Sequence, residues 1–165
     1  SRCQKIVIET PTTDRALDWL NKNDTTGDLS LLLQMSRRAP LLAREYAECD
    51  AITIRMQLFE KFVLLRRKKL SVVVVAAFCC EHNQFDLVAW MISWIVDLMK
   101  INQTSSVVGV ENVDLYDPLK ILTGDLDLQH LYDFYLVALE LHLQLKQPLN
   151  KNLAYEGFFI KWAAV

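Results

Sequence analysis

Glycine and proline are scarce, with four of each in 165 residues. A fold of many short strands needs a turn former at nearly every connection, so this shortage argues against one and favours long helices. No apolar run reaches the roughly 18 uncharged residues that a membrane-spanning helix requires. The stretch at 70–80 is too short, and Asp86 and Asp97 interrupt the next. Neither an initiator Met nor a signal peptide opens the chain, so the expectation is a soluble, cytoplasmic protein and a piece of a longer one. An excess of one charge is also missing. The formal net charge is −2, which gives no global field toward nucleic acid or anionic membrane. There is no P-loop, no Gly-rich phosphate cradle and no Ser or Cys nucleophile motif. The four cysteines, Cys3, Cys49, Cys79 and Cys80, are irregularly spaced in a chain large enough not to need staples, so they read as reduced thiols.

What the sequence has is apolar surface. Hydrophobic residues make up 52% of it. They are densest at 70–101, where LSVVVVAAFCC is followed by a polar break, Glu81-His82-Asn83-Gln84, and then by FDLVAWMISWIVDLMKI. On a helix, Asp86, Ser93, Asp97 and Lys100 share one narrow stripe, the only face expected to meet water. The rest of the circumference is apolar and must be buried on several sides, by this chain or by a partner.

The remaining elements follow from caps and breakers. Residues 4–9, QKIVIE, are β-branched and read as a single short strand whose sheet partners are missing from the chain. Helices are expected at about 14–21, from Asp28 through Met35, and from Pro40 to about 48: three short helices forming a small unit. Asp50 is expected to cap a helix ended by Arg66-Arg67-Lys68-Lys69, where cations suit the C-terminus. Further helices are expected at 71–82, 85–101 and about 114–123, from Asp127 to about 146, and from Asn150 or Asn152 through Trp162, with a polar loop at 102–112.

Several side-chain groups could carry chemistry. Cys79 and His82 could share a helical face with Cys80 nearby, but no second CxxC or HxxxH supplies the remaining ligands of a metal site, so they read as packed thiols and a structural histidine. His130 and His142 lie near Asp127, Asp133 and Glu140, and read as half-exposed helix residues in the absence of a cleft. The Arg66–Lys69 cluster lacks interleaved aromatics and reads as a solvated helix end. The aromatics cover more than one face of their helices. Trp90, Trp94, Tyr132, Tyr135, Tyr155, Phe158, Phe159 and Trp162 are therefore candidates for a subunit interface as well as for core.

Three stretches in order resemble one family, the clamp-loader subunits of bacterial DNA polymerase III. Ser1-Arg2-Cys3, leading into a strand, is similar to the SRC motif of the family's AAA+ module. Ser36-Arg37-Arg38-Ala39-Pro40-Leu41-Leu42-Ala43 stands where the family has a small-residue turn at its sensor 2 helix. Pro148-Leu149-Asn150-Lys151-Asn152-Leu153-Ala154-Tyr155-Glu156 is similar to the N-x-N-x-x-L-A-x-E opening of the last collar helix. Ala16-Leu17-Asp18-Trp19-Leu20 fits the first lid helix. The delta-prime type is the nearest. With Pro40 aligned, Leu41 occupies the sensor 2 arginine position, and a leucine cannot pair with phosphate.

The resemblance implies an all-α chain: a small three-helix lid, then a helical collar bundle, with one orphan N-terminal strand from a missing AAA+ domain. Residues 1–9 would end the nucleotide-binding domain, 10–48 form the lid, and 49–165 form the collar that oligomerises. The implied function is assembly of the subunits that load the sliding clamp on primed DNA during replication. Implied partners are gamma/tau and delta in a hetero-pentamer. DNA is met only through the whole assembly, and no membrane is involved. No catalytic residue, cofactor or metal is expected in this part, although Arg2 matches an arginine that reaches ATP on a neighbouring subunit. Two other readings are the collar of gamma/tau or another AAA+ subunit, and an unrelated helical adaptor, which would leave the strand unexplained.

Overall fold

A computed structural model describes residues 10–165, and every regular element among them is helical. The expected strand at 4–9, together with Arg2 and Cys3, lies outside the described residues. The chain divides into two compact units, one ending at Thr53 and one beginning at Ile54.

The first unit holds three helices whose starts are set by their caps. Helix α1, Thr13–Lys22, begins after Thr12, whose hydroxyl accepts from the Arg15 N–H. Helix α2, Leu29–Met35, begins after Asp28, which accepts from the Leu31 N–H at 3.0 Å. Helix α3, Pro40–Glu48, starts on its proline, whose missing N–H would have had no partner there. The three pack on one another around Ala16, Leu20, Leu32, Leu33, Ala43 and Tyr46. Asp50 departs from its expected capping conformation: it is left-handed, with φ 51°, and accepts from the Thr53 hydroxyl at 2.9 Å.

The second unit takes in most of α4, Ala51–Arg66, and then α5, Val72–Glu81, and α6, Leu87–Thr104. A 3₁₀ turn, Val113–Leu115, leads into α7, Tyr116–Thr123. Helices α8, Leu128–Gln144, and α9, Lys151–Ala164, complete it. Asp127 caps α8 through the Gln129 and His130 N–H groups, and Asn150, not Asn152, caps α9 through the Leu153 N–H. Four successive valines do not prevent α5 from being helical. Val75 and Ala76 are buried in the contact of α5 with α9, and that packing outweighs β-branched propensity.

α6 is the centre of the unit, packed against α7 and α8. Its Trp94 meets Phe59 and Phe62 of α4 edge-on, at 5.1 and 5.7 Å between ring centroids. Phe62 also stacks on Trp162 of α9 at 4.1 Å, and the Trp162 indole N–H donates to the Phe62 carbonyl at 2.8 Å. The apolar circumference of α6 is thus covered largely by its own chain. Ile92, Val96 and Met99 are left half-buried.

The expectation that the polar stripe of α6 faces water is corrected. Asp86 is exposed and Ser93 and Lys100 are intermediate, but Asp97 is 0% exposed. The loop after α6 folds back over Asp97. One carboxylate oxygen accepts from the Glu111 N–H at 2.9 Å. The other accepts from the Asn112 backbone and side-chain N–H groups at 2.7 and 2.8 Å. Lys100 approaches the same carboxylate at 3.5 Å and donates to the Gly109 carbonyl at 2.7 Å. Asn112 also donates to Ser93 at 3.1 Å and accepts from Arg55 at 2.8 Å. Arg55, 1% exposed, reaches both carboxylate oxygens of Asp114, at 2.6 and 3.1 Å. A bidentate pair next to a fully hydrogen-bonded carboxylate is how an interior holds charge at tolerable cost.

One helix end yields a stability prediction. After α4, the Lys69 N–H donates to the Leu64 carbonyl and the Lys68 N–H to the Leu65 carbonyl, both at 2.9 Å, with Lys68 at φ 56°. Such an end prefers glycine. A side chain in the left-handed region costs about 1–2 kcal/mol, whereas the freedom glycine adds to the unfolded chain costs roughly 0.5–1 kcal/mol. The first effect is larger, so Lys68→Gly raises the urea midpoint at unchanged slope.

Candidate assembly surface

α8 buries Leu131, Phe134, Ala138 and Leu141, spaced three and four residues apart along one face. Its far side carries a second apolar series: Tyr132 (51% exposed), Leu136, Leu139 and Leu143 (62% exposed). Steps of four, three and four residues align these into one stripe along the helix. An amphipathic surface helix would place charge there. Beside the stripe, α8 and α9 enclose a half-open groove of about 200 Å³, with Val137, Leu153, Gly157 and Phe158 in its walls and Glu140 and Lys161 among its polar lining. Leu153 and Ile160 of α9 are themselves exposed. An apolar strip with a polar margin is the surface chemistry of a protein contact.

The residues expected at an interface are placed unequally. Trp90, Trp94, Tyr155, Phe158, Phe159 and Trp162 are buried within the unit, whereas Tyr132 is exposed and Tyr135 half-buried. The buried six stack on one another or on neighbouring rings: Phe85–Trp90, Phe134–Phe158, Phe134–Trp162 and Tyr155–Phe159 are ring pairs within 6.3 Å. Sequence reasoning missed Leu136, Leu139 and Leu143. Their spacing was readable, but α8 is apolar on so many faces that the stripe did not stand out from the core positions.

The polar candidates are dispersed. Cys79 is buried, Cys80 touches Asn152 at 3.8 Å, and His82 leans on the Phe78 ring at 4.5 Å. His130 pairs with Asp127 at 3.6 Å, and His142 with Asp86 at 3.4 Å on a different element. Among the described residues, no three His, Cys, Asp or Glu side chains come close enough to hold a metal ion. Arg67, Lys68 and Lys69 are exposed at the end of α4. Leu41 is exposed, and Arg44 is engaged by Glu48 at 3.0 Å. No helix among the described residues is long and apolar enough to cross a membrane.

Burial raises the Cys79 and Cys80 thiols and the Tyr155 hydroxyl above their ordinary values, with neighbouring charge adding to the effect at Cys79 and Tyr155. Groups that hold protons more tightly folded than unfolded make stability fall with pH, starting at the unfolded value. The decline therefore begins near the ordinary thiol value of 9.0, and stability is fully present below it. Each group contributes up to about 1.4 kcal/mol per pH unit. Urea midpoints should accordingly drop between neutral pH and pH about 10, and Cys79→Ala should flatten that drop. Peptide-resolved alkylation should label exposed Cys49 first and Cys79 only on unfolding.

With this geometry established, residues 50–164 match the family described as DNA polymerase III, delta subunit, C terminal. The chain belongs to the DNA polymerase III delta/delta-prime subunit family. The matched residues cover α4 to α9, the elements that build the aromatic core and the α8 stripe. The role that goes with membership is that of a clamp-loader collar. A search of curated proteins finds no match.

Proposed function

We propose that this chain is the lid and collar of a delta-prime-type clamp-loader subunit, acting by assembly rather than by catalysis. Residues 10–48 serve as the three-helix lid, 49–165 as the collar, and 1–9 as the last strand of an AAA+ nucleotide-binding domain. The collar holds the subunit beside gamma/tau and delta in a hetero-pentamer while the nucleotide domains open the clamp, and DNA is met only through the whole assembly. Arg2 would act in trans on a neighbour's ATP. Leu41 in place of a sensor 2 arginine, with an apolar side chain exposed to solvent, favours a subunit without ATPase activity of its own.

The observation that carries the contact surface is the stripe of Tyr132, Leu136, Leu139 and Leu143. An exposed apolar line along a helix is unfavourable in isolation and becomes favourable when a neighbouring helix covers it. Leu136→Lys with Leu143→Lys tests it. Both positions face away from the core, so the unfolding free energy from urea denaturation should stay within about 0.5 kcal/mol of the parent. Association with gamma/tau and delta, followed by gel filtration, should weaken by about tenfold or more. Unchanged association would move the contact elsewhere on the collar.

A further inference from the structure

A second concave site lies where three helix ends meet: the start of α6, the end of α8 and the start of α9. The cavity is about 250 Å³ and half open. Phe85, Leu87, Val88 and Leu145 give it apolar walls, Lys146 and Lys151 give it a cationic rim, and His142 also lines it. Lys146 and Lys151 have no ion-pair partner among the described residues. Tyr155 also lines it. That residue is 3% exposed, and its hydroxyl has no hydrogen-bond partner among the described residues. The hydroxyl opens on the cavity, where it can donate to an acceptor that enters. Asp86 and Asn83 complete the lining. The Asp86 carboxylate is already engaged by the Ala89 N–H at 3.1 Å and by His142 at 3.4 Å. Asn83 donates to the Cys80 carbonyl at 2.8 Å. The positive ends of α6 and α9 add to the same sign of potential, and the negative end of α8 opposes them.

We infer that this cavity binds a small organic anion, a carboxylate or phosphate group on an apolar body, with Lys146, Lys151 and the Tyr155 hydroxyl on the anionic group and Phe85, Leu87, Val88 and Leu145 around the body. The two halves of the lining require both parts of the ligand. A bare anion would leave the apolar walls wet, and an uncharged apolar molecule would leave the lysines and the tyrosine hydroxyl unanswered. The site is separate from the α8 stripe and does not depend on the clamp-loader reading.

The 165-residue chain is titrated by calorimetry with four probes: phenyl phosphate, benzoate, inorganic phosphate and benzyl alcohol. Phenyl phosphate or benzoate should saturate one site, at least about threefold more tightly than inorganic phosphate, with benzyl alcohol weaker still. The first two probes separate phosphate from carboxylate, and binding of either supports the site. Lys151→Glu, an acidic residue at a helix start and so harmless to the fold, should weaken binding by about tenfold. Tyr155→Phe keeps the ring packing and should weaken it by about three- to tenfold. No saturation by about 20 mM for either aromatic anion, benzyl alcohol binding as tightly as they do, or Lys151→Glu leaving affinity unchanged would each overturn the proposal.

Discussion

Trp94→Ala should lower the stability of the isolated chain by about 3–5 kcal/mol, a large share of the roughly 5–15 kcal/mol that a domain has to lose. Trp94 is 0% exposed and sits between α4 and the rest of the bundle, with Phe59 and Phe62 on its edges. Neither neighbour can fill the void without giving up its own ring contact, so the cavity persists and the loss falls at the upper end of the range. A tryptophan that faced only a subunit partner would behave differently: its removal would leave the free chain nearly unaffected. Trp94→Phe sharpens the test. The Trp94 indole N–H has no acceptor among the described residues. Phenylalanine removes an unsatisfied donor, worth about 1–3 kcal/mol, while giving up volume. The two effects nearly offset, and the variant should stay within about 1.5 kcal/mol of the parent. Urea denaturation of both variants reads the difference.

Asp97→Ala should cost a similar amount for a different reason. It strips acceptors from the Glu111 and Asn112 backbone N–H groups and from the Asn112 side chain. Each stranded buried donor costs about 1–3 kcal/mol, so about 3–5 kcal/mol is expected in total after the loop relaxes. Arg55→Met should cost less. Its partner Asp114 keeps 32% of its side chain in solvent and can be rehydrated. The two substitutions are also distinguished by where the damage appears. Hydrogen exchange at the Glu111 and Asn112 amides should lose protection in Asp97→Ala while the amides of α9 keep theirs. Full protection at both amides would show that Asp97 does not hold the loop.

Several helix starts were legible from the polar side chain before them, although Asp50 does not cap α4 as expected and Asp86, read as part of the α6 stripe, caps that helix. Thr12, Asp28, Asp127 and Asn150 each cap the helix that follows, because the physics of an unsatisfied N–H is local. The polar stripe of α6 was not read correctly, because its fate is decided by residues far along the chain. Nothing near Asp97 announces that residues 111 and 112 will return to cover it, or that Arg55, on an earlier helix, will complete the network. The aromatic surplus had the same ambiguity. Periodicity says that Trp94, Phe159 and Trp162 must be buried but not by what, and in the structure Trp94 and Trp162 both pack on Phe62 while Phe159 packs on Phe158. The α8 stripe is the reverse case. Its apolar residues look like core in the sequence and are exposed in the folded unit.

The central claim is that the exposed α8 face exists to be covered by other clamp-loader subunits. The most direct measurement is to mix the chain at micromolar concentration with gamma/tau and delta and resolve the products by gel filtration with light scattering. The account predicts that the chain leaves its free position and co-elutes in a complex of defined mass. Elution at its own mass alone, with the urea midpoint confirming that it is folded, would contradict it.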